Sequence, residues 1–186
     1  MSTFVAIDFE TADYGRDSAC AVALVRVAGK KITHRQRHLI RPPRREFVFS
    51  DLHGITWAQV AKAPTFARLW PTLTPLLDGV EFLAAHNAGF DRGVLRACCA
   101  AAGLAIPDYP FECTVQLARR TWNLHPAKLP NVCAHLGIPL THHDPLSDAV
   151  ACAKIVIAAQ AAKRDPAATA TRDHADLPPR RRHSPR

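Results

Sequence analysis

No run of apolar residues in this 186-residue chain approaches the length that a bilayer-spanning helix needs, so no membrane partner is expected. Met1-Ser2-Thr3 carries no basic region and leads straight into an apolar segment, so no signal peptide is expected either. No C-x-x-C pair occurs among Cys20, Cys98, Cys99, Cys113, Cys133 and Cys152, most of which sit among alanine, valine and leucine. That disfavours a zinc site or a disulfide framework and points to reduced core thiols in a cytoplasmic protein. No internal repeat divides the chain. What is present is a 48% hydrophobic content, enough for one domain with a real core. A net charge of +8 favours a polyanionic partner, although charge alone does not separate a nucleic-acid binder from a merely soluble surface.

Residues 3–9 read as a first strand, and Val5 and Ile7 suit a strand buried on both faces. Residues 19–27 and 31–40, joined by a turn at Ala28-Gly29-Lys30, complete an antiparallel meander that Arg41-Pro42-Pro43 stops. Residues 50–54 read as a turn or one helical turn, and Thr56 as the N-cap of a small helix. The spacing of Phe66, Leu69, Trp70, Leu73, Leu76 and Leu77 predicts a helix in which Pro71 and Pro75 imply irregularity or a break. Residues 80–85 predict a buried fourth strand, and Asn87 caps a helix carrying Val94, Leu95, Cys98 and Cys99. Residues 111–113 predict a fifth strand, and residues 114–122, 129–136 and 145–162 three more helices. Trp57, Trp70 and Trp122 are assigned to the core or its rim. From residue 164 to 186 the chain is rich in Pro, Arg, Thr and Asp, with Leu177 its one large aliphatic residue. The reading is a domain of residues 1–163 followed by a disordered basic tail. Arg180-Arg181-Arg182 could touch nucleic acid, but a solvated tail is the plainer reading.

Asp8 and Glu10 lie at the end of the first strand. Side chains alternate along a strand, so the two carboxylates share a face. Unpartnered, they would repel each other and lose hydration, for which a bound divalent cation is the usual remedy. Two further segments carry acids at element starts. His86-Asn87-Ala88-Gly89-Phe90-Asp91 places Asp91 one turn into the helix that Asn87 caps. In His142-His143-Asp144-Pro145-Leu146-Ser147-Asp148, Asp144 is a good N-cap and Pro145 suits the first helical position. His143 then precedes the cap and Asp148 is the fourth helical residue, two positions that meet in hydrophobic-staple geometry. Each signal is weak alone: a D-x-E pair is often a surface pair, and a first-turn acid serves the helix dipole. Together they form one constellation of four acids and a histidine.

With these motifs in this order, and with His53-Gly54-Ile55-Thr56 between the first two, the chain resembles the DnaQ-like 3′-5′ exonucleases of the DEDDh group. The proofreading epsilon subunit of bacterial DNA polymerase III belongs to that family, and the resemblance covers nearly all of residues 3–160. It implies a ribonuclease H-like α/β fold, a mixed five-stranded sheet flanked by helices. It implies that Asp8, Glu10, Asp91 and Asp148 hold two divalent metal ions and that His143 is the general base. The family's histidine stands five residues before its last aspartate, which selects His143 over His142. No catalytic position is substituted. The backbone around Phe9 and Thr11 and the side chains of His53 and Phe90 are implied to flank the terminal nucleotide. A core place for Phe90 is the alternative.

A carboxylate-only site suits Mg²⁺, with Mn²⁺ as its substitute. Two such ions can hold the attacking and leaving oxygens of an in-line displacement at phosphorus. Asp8 is expected to bridge them, because it sits deepest on its strand. Glu10 and Asp148 would hold the ion that binds the attacking water, His143 would take that water's proton, and Asp91 would act mainly through water as in the family. The expected reaction releases nucleoside 5′-monophosphates from single-stranded 3′ ends, with DNA favoured over RNA. The motifs do not separate the two polymers, so an exoribonuclease is the alternative. An adaptor that keeps the fold but binds without cutting is disfavoured by the intact set. An endonuclease of ribonuclease H type is disfavoured by His-x-x-x-x-Asp. Proofreading would require a DNA polymerase partner, for which no clear docking motif appears.

Overall fold

The apolar run near the N-terminus is the spine of the molecule. In the computed structural model, which describes residues 2–164, it becomes β1 (Thr3–Thr11), with Phe4, Val5, Ala6 and Ile7 fully buried. A strand covered on both faces needs helices on both sides. β2 (Ala19–Ala28) pairs with β1 antiparallel, and β3 (Lys31–Leu39) follows through a two-residue turn in which Gly29 takes φ 63°. β4 (Phe82–Ala85) joins the other side of β1 in parallel, and β5 (Phe111–Cys113) pairs with β4. The result is the mixed five-stranded sheet expected, in the order β3-β2-β1-β4-β5. The outer strand β3 carries Lys31, His34, Arg35, Arg37 and His38, charged and polar groups that discourage its open edge from pairing with other chains.

Alternation along β1 divides the core. Val5, Ile7 and Phe9 face α3 (Phe66–Leu73) and α4 (Gly89–Ala101). Phe4 and Ala6 face α5 (Thr114–Trp122), α6 (Leu129–Leu136) and α7 (Pro145–Arg164). Two short helices, α1 (Ser50–His53) and α2 (Trp57–Val60), bring Ile55 and Val60 into a third cluster with Ala12 and Cys20. All six cysteines are free thiols. Trp70 is buried, while Trp57 and Trp122 are half-buried, as the sequence predicts. Leu24 of β2 is fully buried in the first core cluster. Leu24→Ala is therefore expected to cost about 2–5 kcal/mol, read from urea unfolding. A loss below about 1 kcal/mol would show that this core is not close-packed.

Several elements differ from the sequence reading. β1 runs on to Thr11, so Asp8 and Glu10 lie within the strand rather than at its end. Pro71 is accommodated inside α3, whereas the irregularity expected at Pro75 is present as a 3₁₀ turn at Thr74–Leu77. Asn87 does not cap α4: it takes the left-handed conformation at φ 65°, its carbonyl accepts the Phe90 N–H, and Ala88 occupies the cap position. α7 also corrects the statement on apolar runs. Residues Pro145–Lys163 have a mean hydropathy of 1.3, long and apolar enough by those two measures to cross a membrane. Half of that span is buried inside the protein, with Ala149, Cys152, Ile155 and Val156 packed in the core that holds Phe4 and Ala6. A helix laid across a sheet face needs the same composition. The basic tail of the sequence reading lies outside the described residues, except that Arg164 ends α7.

β1 outruns its parallel neighbour. Pairing with β4 ends at Ala6↔Ala84, whereas pairing with β2 continues to Thr11 with a register shift between Glu10 and Thr11. A crevice therefore opens at the carboxyl ends of the parallel strands, the usual ligand position in open α/β sheets.

Candidate active site

Three elements deliver acids to that crevice. Asp8 and Glu10 project from β1 on the face shared with Phe4 and Ala6, toward α7. Asp91 stands in the first turn of α4 and is almost wholly buried. Its Oδ1 accepts the N–H of Phe9 at 3.0 Å, which ties α4 to β1 across 82 residues of chain. Asp148 stands in the first turn of α7. Asp144 caps that helix as predicted, its Oδ1 accepting the Ser147 N–H at 2.8 Å.

Packing these carboxyls together raises their proton affinity. Burial, then the charges of Asp91, Glu10 and Asp148, holds Asp8 well above the usual carboxylate range. Burial first, then Asp148 and Asp91, pushes Glu10 to about 8. Burial pushes Asp91 to about 7 against the pull of the Phe9 N–H. Burial also raises Asp148, with the His143 amide and the His142 ring acting against it. Burial raises all four acids, and Asp91 and Asp148 raise Asp8 and Glu10 further, so the cluster forms an electrostatic well for a cation.

Asp148 is held in a way that the sequence reading did not foresee. The backbone N–H of His143 donates to its Oδ2 at 3.2 Å, and the ring of His142 meets the same oxygen through Nδ1 at 3.0 Å. The predicted neighbourhood of His143 and Asp148 is present, but through the His143 amide rather than its imidazole. His143 takes φ 67°, an uncommon conformation for a residue with a side chain, and this turns its amide to the carboxylate. The two imidazoles stack with centroids 3.8 Å apart. Burial, then His142, lowers the pKa of His143. The other oxygen of Asp148, Oδ1, is buried and has no hydrogen-bond partner, alone in this among side-chain oxygens and nitrogens of the described residues. Ligand atoms of His142, His143 and Asp148 lie within 4.8 Å of one another. An orphaned anionic oxygen beside mutually repelling carboxylates fits a hard divalent cation.

The residues expected to meet substrate divide into two groups. Phe90, 38% exposed, stands at the rim rather than in the core. Together with Glu10, Thr11, Phe49, Leu52 and His53 it lines a mainly apolar pocket of about 230 Å³. Phe49 and Leu52 carried no sequence signal. His53 forms one wall, but its nitrogens are already bound. Nε2 donates to the Thr11 carbonyl at 3.1 Å, and Nδ1 accepts the Ile55 N–H at 3.0 Å, which fixes the neutral tautomer. Burial lowers its pKa accordingly. Phe9 does not reach the pocket through its side chain, which is buried in the core, and its amide is committed to Asp91. His86 bonds Thr114 Oγ1 through Nδ1 at 2.8 Å, and burial pushes its pKa down to about 4. A larger cleft, about 610 Å³, lies against Ile40, Phe66 and Cys98 on the other face of the sheet, away from the acids.

The RNase T family of exonucleases matches residues 5–156 of this chain. The chain is 34% identical over 147 residues to exodeoxyribonuclease 10 of Escherichia coli K12, covering 73% of this chain and 59% of that protein. It is 29% identical over 160 residues to a PolC-type DNA polymerase III of Thermotoga maritima, covering 84% of this chain and 12% of the polymerase. A solved structure of Exonuclease X in complex with 5′ overhanging duplex DNA matches with a TM-score of 0.68 and 27% identity, covering 88% of this chain and 93% of that one. The chain thus spans less than two thirds of each of these two curated relatives.

Proposed function

This chain belongs to the RNase T exonuclease family, and from that premise we propose that it removes nucleotides from the 3′ ends of DNA as nucleoside 5′-monophosphates. The observation that carries the reading is the convergence of Asp8, Glu10, Asp91 and Asp148 on one crevice, beside the unpartnered Asp148 oxygen. Those four residues would hold two divalent ions, Mg²⁺ first and Mn²⁺ as its substitute. Bound there, the ions supply charge to the attacking and leaving oxygens of an in-line displacement at phosphorus.

The protein's own groups do the rest. His143 accepts the proton of the attacking water at a ring nitrogen, and its lowered pKa keeps that nitrogen free at neutral pH. The His142 ring and the His143 amide fix the orientation of Asp148. The terminal nucleoside enters the pocket of Thr11, His53 and Phe90, where apolar walls cover its base. Phe9 contributes through its hold on Asp91.

DNA as the polymer is supported by the exodeoxyribonuclease relative and by the DNA-bound Exonuclease X structure. The PolC-type relative supports a DNA polymerase partner. Residues 1–163 form the exonuclease domain in this reading, and free thiols throughout suit a cytoplasmic enzyme. Digestion of end-labelled single-stranded DNA, duplex DNA and RNA with Mg²⁺, Mn²⁺ or chelator tests it. Mononucleotides should accumulate from single-stranded DNA with either metal and should vanish with chelator. Turnover that survives chelation would overturn the metal site, internal fragments would indicate an endonuclease, and faster loss of RNA would reassign the polymer.

A further inference from the structure

The loop between β1 and β2 is unusually well fastened for an exposed connection. Ala12 N–H donates to the Ser18 carbonyl at 2.9 Å, and Asp13 N–H to Ser18 Oγ at 3.1 Å. The Arg44 guanidinium bonds Asp13 at 2.8 Å and Asp17 at 2.6 Å. Both loop acids are thus turned toward Arg44. Two large side chains project from this frame, and each stands against a different wall of the nucleotide pocket.

Tyr14 is 81% exposed, yet its ring is held edge-on to Phe49 with centroids 5.0 Å apart. Phe49 is one wall of the pocket. Arg16 reaches the other wall: its Nη1 donates to the carbonyls of Gly89 at 3.2 Å and Phe90 at 3.4 Å. The seat for Arg16 is built into α4. Gly93 lies inside that helix, where glycine costs about 1 kcal/mol relative to alanine. A Cβ at position 93 would overlap the Arg16 guanidinium. The helix gives up propensity at a position where the arginine lies against it. Among the described residues Arg16 has no carboxylate partner. A guanidinium carries five N–H donors in a planar fork, so most of them stay open after the two carbonyl contacts.

We propose that this loop grips the strand just upstream of the terminal nucleotide, Arg16 taking the phosphate and Tyr14 stacking on the base. An open aromatic face beside a fixed cation is what a sequence-tolerant single-strand site requires. Fixing the loop in advance lowers the ordering cost of binding. The proposal rests on the exonuclease reading for the polarity of the strand, and its test does not depend on turnover.

Binding of a fluorescein-labelled single-stranded oligonucleotide, measured by anisotropy in chelator at several salt concentrations, reads the grip without hydrolysis. Arg16→Ala should weaken binding about tenfold and lower the salt slope by about one. Gly93→Ala should do the same by displacing Arg16, although it favours the helix. The double variant should bind no worse than either single one, since both remove the same contact. Tyr14→Ala should weaken binding about tenfold with the slope intact, and that loss should disappear on an oligonucleotide abasic at the residue next to its 3′ end. Wild-type affinity and slope for Arg16→Ala would overturn the proposal, as would wild-type binding by Gly93→Ala beside a weakened Arg16→Ala. Wild-type protein that binds DNA but never hydrolyses it with metal present would instead sink the exonuclease reading and leave the grip standing.

Discussion

Asp91→Asn is expected to stabilise the metal-free protein while abolishing hydrolysis. The reason lies in the raised proton affinity of the acidic cluster. Glu10 titrates near 8 in the folded protein against an ordinary 4.5, and Asp91 near 7 against 3.8. A group whose pKa is raised by folding adds stability that is fully present below its ordinary value. That stability is lost as pH rises through the folded value. The metal-free protein should therefore lose stability between about pH 4 and 8, as the crowded carboxyls are forced to ionise. Asparagine removes one of those charges, and its Oδ1 can still accept the Phe9 N–H. In chelator at pH 8.5 the variant should melt about 5 °C or more above wild type, with a smaller gap at pH 5. Added Mg²⁺ should raise the melting temperature of the wild type at pH 8.5 far more than that of the variant. Hydrolysis should fall on the order of 10³-fold or more, as for other members of a catalytic unit. Calorimetry at the two pH values and an oligonucleotide assay check both halves. A variant that melts below wild type at pH 8.5 in chelator would show that ionising buried Asp91 does not cost the metal-free fold stability.

His143→Ala and His142→Ala should fail in different ways. His142 spends Nδ1 on Asp148, so it acts as a positioning residue for that carboxylate. The imidazole of His143 makes no hydrogen bond among the described residues, and only its amide is engaged. Losing a general base costs about 10²–10⁴ in kcat, and extra metal does not restore it. Losing a partner that orients a ligand costs about 10–100-fold in metal affinity, and extra metal does restore it. Titrating Mg²⁺ against rate for each variant separates the two behaviours. If His142→Ala were the unrescued one, His142 would be the base and the spacing argument from the family would fail for this chain.

The sequence was most legible where a signal repeats within one element. The alternation of side chains along a strand places Asp8 and Glu10 on one face from the sequence alone. The Asp144-Pro145 start foretold α7 and the first-turn place of Asp148. Legibility failed where a local preference met a competing contact. Asn87 is a good cap by type, but here it takes the left-handed turn that leads from β4 into α4. Five-residue spacing favours His143 over His142, but spacing does not say which ring touches Asp148. The sequence places His53 beside the pocket but does not show that both its nitrogens are bonded to backbone 42 and two residues away.

The sequence by itself determined the strands and helices, the four acids and their order, and a basic chain suited to a polyanion. Periodicity and capping are carried by residues a few positions apart, so they can be read along the chain. Only the tertiary structure decided how the acids are held: Asp91 by an amide 82 residues away, Asp148 by two histidines, and one Asp148 oxygen left without a partner. Only it brought Arg16 across Gly93, whose place in α4 has no local explanation. Burial and long-range hydrogen bonds set those features, and both depend on which elements pack together rather than on what each element is.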